Sequence, residues 1–233
     1  MPSRPSPPPR VPRRRSYDQY CAAARALDAV GDRWTLLVVR ELMAGPRRYT
    51  DLHADLPGVS TDVLASRLKD MERDGLAERR RLPAPVSAFV YELTARGRAL
   101  LPVLMALAEW GAPELAERRA TDAVRAHWFA IPLLRSLERQ GLDGIVQVRL
   151  DEGEFHVRVG GDGSGPVYGD GAAAAVGGPV ALLELDAETC LAVSRGSLTL
   201  EEGVREGRIR VAGDGPVATA LCHVAPSASV GSL

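Results

Sequence analysis

No run of about eighteen apolar residues occurs in the sequence, so no stretch of it reads as a helix that crosses a bilayer. The arginines and prolines at the N-terminus are not followed by an apolar segment, so a secretory leader is not expected. Cysteine is scarce: Cys21, Cys190 and Cys222 are an odd, widely spaced set. That argues against a disulfide framework and fits a reducing cytoplasm. Ligand and catalytic patterns are missing as well. The glycine-rich stretch GGDGSGPVYGDG at 160–171 has no Gly-Lys-Ser/Thr, and no helix opens behind it to offer its N-terminus to a phosphate. Asp162 and Asp170 lack calcium-loop spacing. His156, Cys190, Cys222 and His223 lack a zinc pattern. No Ser/His/Asp set has telling spacing. Neither catalysis nor a metal or cofactor is expected from these patterns.

Charge is present but unevenly placed. The formal net charge is −1. Residues 1–120 hold 20 Lys and Arg against 15 Asp and Glu, a net of +5, whereas residues 121–233 hold 9 against 15, a net of −6. Such asymmetry suggests two modules, the basic one suited to nucleic acid. Residues 1–16, MPSRPSPPPRVPRRRS, contain six prolines and five arginines and too little apolar surface to fold. This segment is either an inert tail or a basic arm that touches phosphates.

From Cys21 the apolar residues take helical spacing. Leu27, Val30, Trp34, Leu37, Val38 and Leu42 mark one helix face, which Gly45 and Pro46 end. A short helix, TDLHADL at 50–56, precedes a Pro57-Gly58 turn. Ser60 is a good N-cap for the next helix. There Leu64, Leu68 and Met71 fall at core spacing, and Thr61, Asp62, Ser66, Lys69 and Arg73 point outward with Arg67 on the flank. Asp74-Gly75 stops it. Residues 76–82 and 89–93 read as the two strands of a hairpin around PAPVS. Thr94 caps a long helix to about Arg119, with a kink or late start at Pro102. This order is that of a winged helix-turn-helix. Its second helix fits a major groove, and the hairpin residues Arg79, Arg80 and Arg81 can meet phosphates or a minor groove.

The run from Cys21 to Gly111 resembles the HxlR-type bacterial winged-helix regulators, relatives of the MarR group. The matching pieces are GDRWTLLVVREL at 31–42, PRRYTDL at 46–52, LPGVSTDVLASRLKDMERDGL at 56–76, YELTARGRALLPVL at 91–104, and WG at 110–111. The resemblance implies a homodimer built on the terminal helices of the domain, bound to a palindromic duplex DNA operator. It also implies transcriptional control, usually repression and sometimes activation. By family position, Ser60, Thr61, Ser66, Arg67 and Lys69 lie in or beside the major groove. Arg48 and Tyr49 fall in the matched PRRYTDL piece and Arg79, Arg80 and Arg81 on the wing. Some members of the family sense electrophiles or oxidants through a Cys at the position of Cys21. A thiol near a helix N-terminus favours the thiolate, and Arg25 one turn on could assist. Against this, the proline usual after that Cys is Ala22 here, and a small buried hydrophobe is the other reading.

Beyond about residue 120 the pattern changes. Residues 122–140 are helical in period and broken near Pro132. GIVQVRL and EFHVRV alternate with period two around a DEGE turn. VALLELD is strand-like, Asp186 caps a helix ended by Gly196, LTLEEGVREG reads as a short helix, RIRVAGD as a strand, and GPVATALCHV as a final helix. The stretch 185–214 resembles the sterol carrier protein 2 family, and with the hairpin before it the likeness spans roughly 122–224. That family is a twisted sheet backed by helices around an apolar tunnel, which implies a small hydrophobic ligand. The candidates are Trp128, Phe129, Val148, Phe155, Val157, Leu183 and Leu185, although apolar strand faces also build dry cores. The fold class is therefore α+β. Residues 1–17 are expected as a basic tail, 18–119 as the winged domain, 120–225 as the ligand domain and 226–233 as a second tail. Three functions follow: an effector-responsive regulator, a thiol-responsive regulator, or a lipid carrier with a helical interaction module.

Overall fold

The computed structural model describes residues 16–115, 118–161, 165–173, 180–213 and 215–222. The first fifteen residues of the tail, residues 162–164 of the glycine-rich stretch 160–171 with Asp162 among them, His223 and the 226–233 tail lie outside the described residues. Ser16 and Tyr17, read as tail, are instead tied down. The Ser16 hydroxyl and the Tyr17 backbone N–H donate to the two carboxylate oxygens of Asp28, each at 3.0 Å.

Helices α1 (Ala22–Val30) and α2 (Thr35–Leu42) replace the single helix expected from Cys21. The break is local. The Gly31 N–H closes α1 onto the Leu27 carbonyl, and Trp34 takes a left-handed φ of 80° before α2 starts. Helices α3 (Tyr49–Asp55) and α4 (Thr61–Arg73) form the helix-turn-helix. Ser60 caps α4 as expected, its hydroxyl accepting from the Val63 N–H at 3.3 Å. Leu64, Leu68 and Met71 are buried at 1% exposure or less. Each such side chain contributes about 1.5–3 kcal/mol by leaving water. Gly75, at φ 67°, turns the chain into the hairpin of β1 (Ala77–Arg81) and β2 (Phe89–Leu93), antiparallel with Arg79 opposite Tyr91. Pro102 lies at the start of a helix, where its missing N–H costs nothing, so the expected long helix becomes α5 (Ala95–Arg98) and α6 (Leu101–Gly111).

The second half opens with a 3-10 turn, Ala126–Phe129, rather than a helix from 122, and continues into α7 (Ala130–Arg139). Pro132 does not break α7. It falls in the first turn, whose N–H groups have no helical partner in any case. Strands β3 (Gly144–Leu150), β4 (Gly153–Val159), β5 (Tyr168–Asp170), β6 (Val180–Glu184) and β7 (Arg210–Ala212) make a five-stranded mixed sheet in the order β5-β4-β3-β6-β7. Only the β3–β6 pair is parallel among these neighbours. Helices α8 (Ala187–Arg195), α9 (Leu200–Arg205) and α10 (Pro216–Cys222) complete the domain, with Asp186 and Thr199 capping α8 and α9 as their sequences suggest.

The two halves are joined where α2 ends. The last carbonyls of a helix need partners, and here the second half supplies them. The Tyr168 hydroxyl donates to the Arg40 carbonyl at 2.9 Å, and the Val167 N–H donates to the Met43 carbonyl at 2.9 Å. The Arg125 guanidinium reaches the Ala54 carbonyl at 3.4 Å.

The seam between hairpin and α5 is tight. Thr94 Oγ1 donates to the Gly75 carbonyl at 2.6 Å and accepts from the Gly97 N–H at 3.1 Å. A Cβ on Gly97 would collide with the Leu76 carbonyl oxygen, an immobile backbone atom. Alanine's higher helix propensity returns up to about 1 kcal/mol, against about 1–3 kcal/mol for overpacking. Gly97→Ala is therefore expected to lower the thermal midpoint by about 2–4 °C per kcal/mol lost. An unchanged midpoint would show that the seam yields.

Candidate nucleic-acid interface

Helix α4 presents a polar strip. Ser60, Thr61, Asp62, Ser66, Lys69 and Arg73 are exposed, while the opposite face is core. Tyr49 and Arg48 open α3 beside it, and the Tyr49 hydroxyl donates to the Thr61 carbonyl at 2.8 Å, locking the two helices at the N-terminus of α4. Lys69 makes no ion pair among the described residues, so its charge is available to a phosphate.

Arg67 is a correction. Its side chain is 14% exposed, and Nη1 donates to Asp32 at 2.6 Å and to Asp70 at 3.2 Å. It fastens α4 to the α1–α2 turn, and is not a free reader of base edges. The hairpin arginines are also engaged. Arg80 reaches diagonally across the hairpin to Glu92 with two hydrogen bonds, 2.7 and 3.1 Å, and that pairing holds the Glu92 carboxyl below its ordinary value. Arg79 stacks over the Phe89 ring at 3.9 Å, and Arg81 donates to the Ser87 hydroxyl at 3.0 Å. All three remain exposed. To meet DNA, Arg80 must exchange a carboxylate for a phosphate.

Cys21 is exposed and occupies the N-cap of α1. Backbone N–H groups of Ala24 and Ala23 pull its thiol below the usual value. Arg25 does not take part as expected, since its guanidinium turns to Asp28 at 3.8 Å. The helix end lowers the thiol without it. Cys190 is the opposite case: burial pushes it up to about 12.

The residues proposed for an apolar tunnel separate into two groups. Val148, Phe155, Val157 and Leu183 have no solvent exposure, and Leu185 is 8% exposed, all within the packed core cluster. Phe129 packs partly buried against that cluster. Trp128 departs from the expectation altogether: its indole N–H donates to Glu41 at 3.0 Å and its ring carries the Arg40 guanidinium at 4.5 Å. A cleft of about 190 Å³ lies elsewhere, between the halves, lined by Leu42, Met43, Pro46, Leu93, Arg98 and Pro166. The buried Glu41 and His127 were missed from sequence. A carboxylate inside the apolar run TLLVVREL was the available signal.

Thiol reactivity separates the cysteines. Native protein treated with iodoacetamide should label at Cys21 first, faster as pH rises, with Cys190 silent until unfolding; peptide mass spectrometry reads this, and equal labelling of both would contradict the geometry.

Comparison with known proteins identifies the family of the N-terminal region. The model described as HxlR-like helix-turn-helix matches residues 29–119. The uncharacterized HTH-type transcriptional regulator YvaP of Bacillus subtilis (strain 168) is 36% identical over 86 residues, 37% of this chain and 80% of that protein. The HTH-type transcriptional regulator YodB of the same strain is 35% identical over 85 residues, 36% of this chain and 76% of YodB. Among solved structures, the reduced form of YodB from B. subtilis matches at 30% identity over 43% of this chain and 100% of that one, with a TM-score of 0.38. Through its winged N-terminal region the chain belongs to the HxlR-like helix-turn-helix family of MarR-like, DNA-binding transcription regulators.

Proposed function

We propose that the protein is a cytoplasmic homodimeric repressor that reads a palindromic operator with α4 and grips the flanking backbone with the β1–β2 hairpin. The observation that carries this reading is the exposed strip of Ser60, Thr61, Ser66 and Lys69 beside three exposed arginines, on a helix whose other face is fully buried. Hydroxyl and cationic groups suit base edges and phosphates. The dimer reading draws on apolar side chains left in water on the terminal helices: Leu27 at 49%, Leu107 at 43% and Trp110 at 81% exposure. A second copy is the partner that the family implies for them.

Two control inputs are proposed. The first is a small hydrophobic effector bound by residues 120–225, a domain similar to sterol carrier protein 2. The apolar sheet faces support a domain of this type. Their complete burial means that the effector either parts the sheet from its helices or uses the cleft between the halves. Binding one dimer geometry better than the other would shift the spacing of the two α4 helices. The second input is oxidation or alkylation of Cys21, favoured by its exposure and its lowered thiol.

Binding should be followed by fluorescence anisotropy on duplex DNA at several salt concentrations, using an operator selected from a random pool. Lys69→Ala is expected to reduce the salt slope by about one. Glu92→Gln, which frees Arg80, should tighten binding, and Arg80→Ala should loosen it on all sequences. Arg67→Ala should act mainly through stability, by on the order of 1 kcal/mol for a partly exposed ion pair. If Lys69 and Arg80 both leave the slope unchanged, the interface lies elsewhere. Cys21→Ser distinguishes the two inputs, since it abolishes a response to oxidant and leaves a response to hydrophobic effector intact.

A further inference from the structure

The seam between the halves holds a cluster that the DNA-binding reading does not use. Glu41, on α2, has 0% exposure, and His127, from the 3-10 turn, has 3%. His127 Nε2 lies 2.9 Å from Glu41 Oε2, and its Nδ1 lies 3.2 Å from Asp170 Oδ1 at the end of β5. Carboxylate oxygens only accept hydrogen bonds, and a neutral imidazole has one N–H. One of the two contacts therefore lacks a proton unless a second cation is supplied. Glu41 Oε1 is occupied by Arg40 at 2.6 Å and the Trp128 indole at 3.0 Å, which leaves Oε2 to face His127.

Asp55, the last residue of α3, completes the group. One ligand atom each from Glu41, Asp55 and His127 can be chosen so that all lie within 4.8 Å of one another. Burial raises the Asp55 carboxyl above its ordinary value, and the neighbouring Glu41 charge raises it further, while Arg47 at 3.5 Å opposes them. Three carboxylates, Glu41, Asp55 and Asp170, face two guanidiniums, Arg40 and Arg47. Glu41 has no solvent exposure and the Asp55 side chain is 16% exposed, so these two carboxylates concentrate negative charge where a close cation is favoured, whereas Asp170 is 48% exposed.

We propose that this seam binds one divalent transition-metal ion of the zinc class through Glu41 Oε2, Asp55 and His127 Nε2. Imidazole with carboxylates selects zinc-class ions over calcium or magnesium, which take oxygen ligands. Metal–ligand bonds of about 2.0–2.2 Å require Asp55 to rotate inward. The supporting contacts are in place. With the metal on Nε2, the Nδ1–H donates to Asp170, which resolves the missing proton and is the usual support of a metal-bound histidine. Arg40 and Trp128 orient Glu41, and Arg47 lies between Asp55 and Asp170, 3.8 Å from the latter. The ion would tie α2 and α3 of the helix-turn-helix directly to the second half. Three protein ligands leave a coordination position for water or an exogenous group.

The test uses the untagged full chain, stripped with chelator and dialysed against micromolar zinc or manganese chloride. Elemental analysis should find one equivalent per chain, a rise in thermal midpoint on loading, and retention of both in Cys21→Ser. Asp55→Asn, an isosteric change at a partly exposed position, should lose both effects, as should His127→Gln. Uptake below one equivalent in wild type, or undiminished in Asp55→Asn, would overturn the proposal.

Discussion

Glu41 is a carboxylate without solvent exposure in the middle of an apolar helix. Removing such a charge from water costs several kcal/mol, and only close donors offset it. Burial pushes its carboxyl up, but the His127 hydrogen bond and the Arg40 guanidinium outweigh that and leave it below its ordinary value. Two of its partners, His127 and the Trp128 indole, come from the second half of the chain. The helix-turn-helix is therefore electrostatically incomplete without the domain that follows it. Tyr168 and Val167, which cap the end of α2, add the same dependence on the backbone. Together these contacts make α2 a shared element of both halves.

This arrangement gives the proposed effector response a physical route. Helix α4 touches α3 through Tyr49, the α1–α2 turn through Arg67, and the hairpin through the Leu76 seam. None of these is a contact with the second half. Arg125 meets α3, and His127 and Trp128 meet α2, so any coupling runs through helix packing behind the recognition helix. Packed helices shift as units and do not deform continuously. A change at the seam would then reposition the motif as a whole.

Much of the winged domain was legible in the sequence because local chemistry and fold agree there. Ser60, Leu64, Leu68, Met71 and Gly75 each act in the place their residue type suggests. The second half was readable as elements too: alternation gave the β3–β4 hairpin, and Asp186 announced its cap. Three things were not legible. Trp34 interrupts an apolar periodicity with a left-handed turn, which no spacing rule registers. Arg67 has the identity of a base reader, but its partner Asp32 is thirty-five residues away in sequence. The seam needs Glu41, Asp55, His127 and Asp170 from four separate elements, so no motif spacing could have assembled it.

If the hairpin meets DNA as proposed, the pairing of Arg80 has a consequence for selectivity. Non-specific affinity comes from phosphates neutralised by free cations. Arg80 is held by Glu92, and residues 121–233 carry a net of −6, which repels a polyanion. Arg80 must leave its carboxylate before it reaches a phosphate, so random duplex recovers less of the attraction than a count of basic residues suggests. Contacts made by α4 on a fitting sequence then decide whether the exchange is favourable. Weak background binding of this kind raises the ratio of specific to non-specific affinity, the quantity that matters when competing sites vastly outnumber operators.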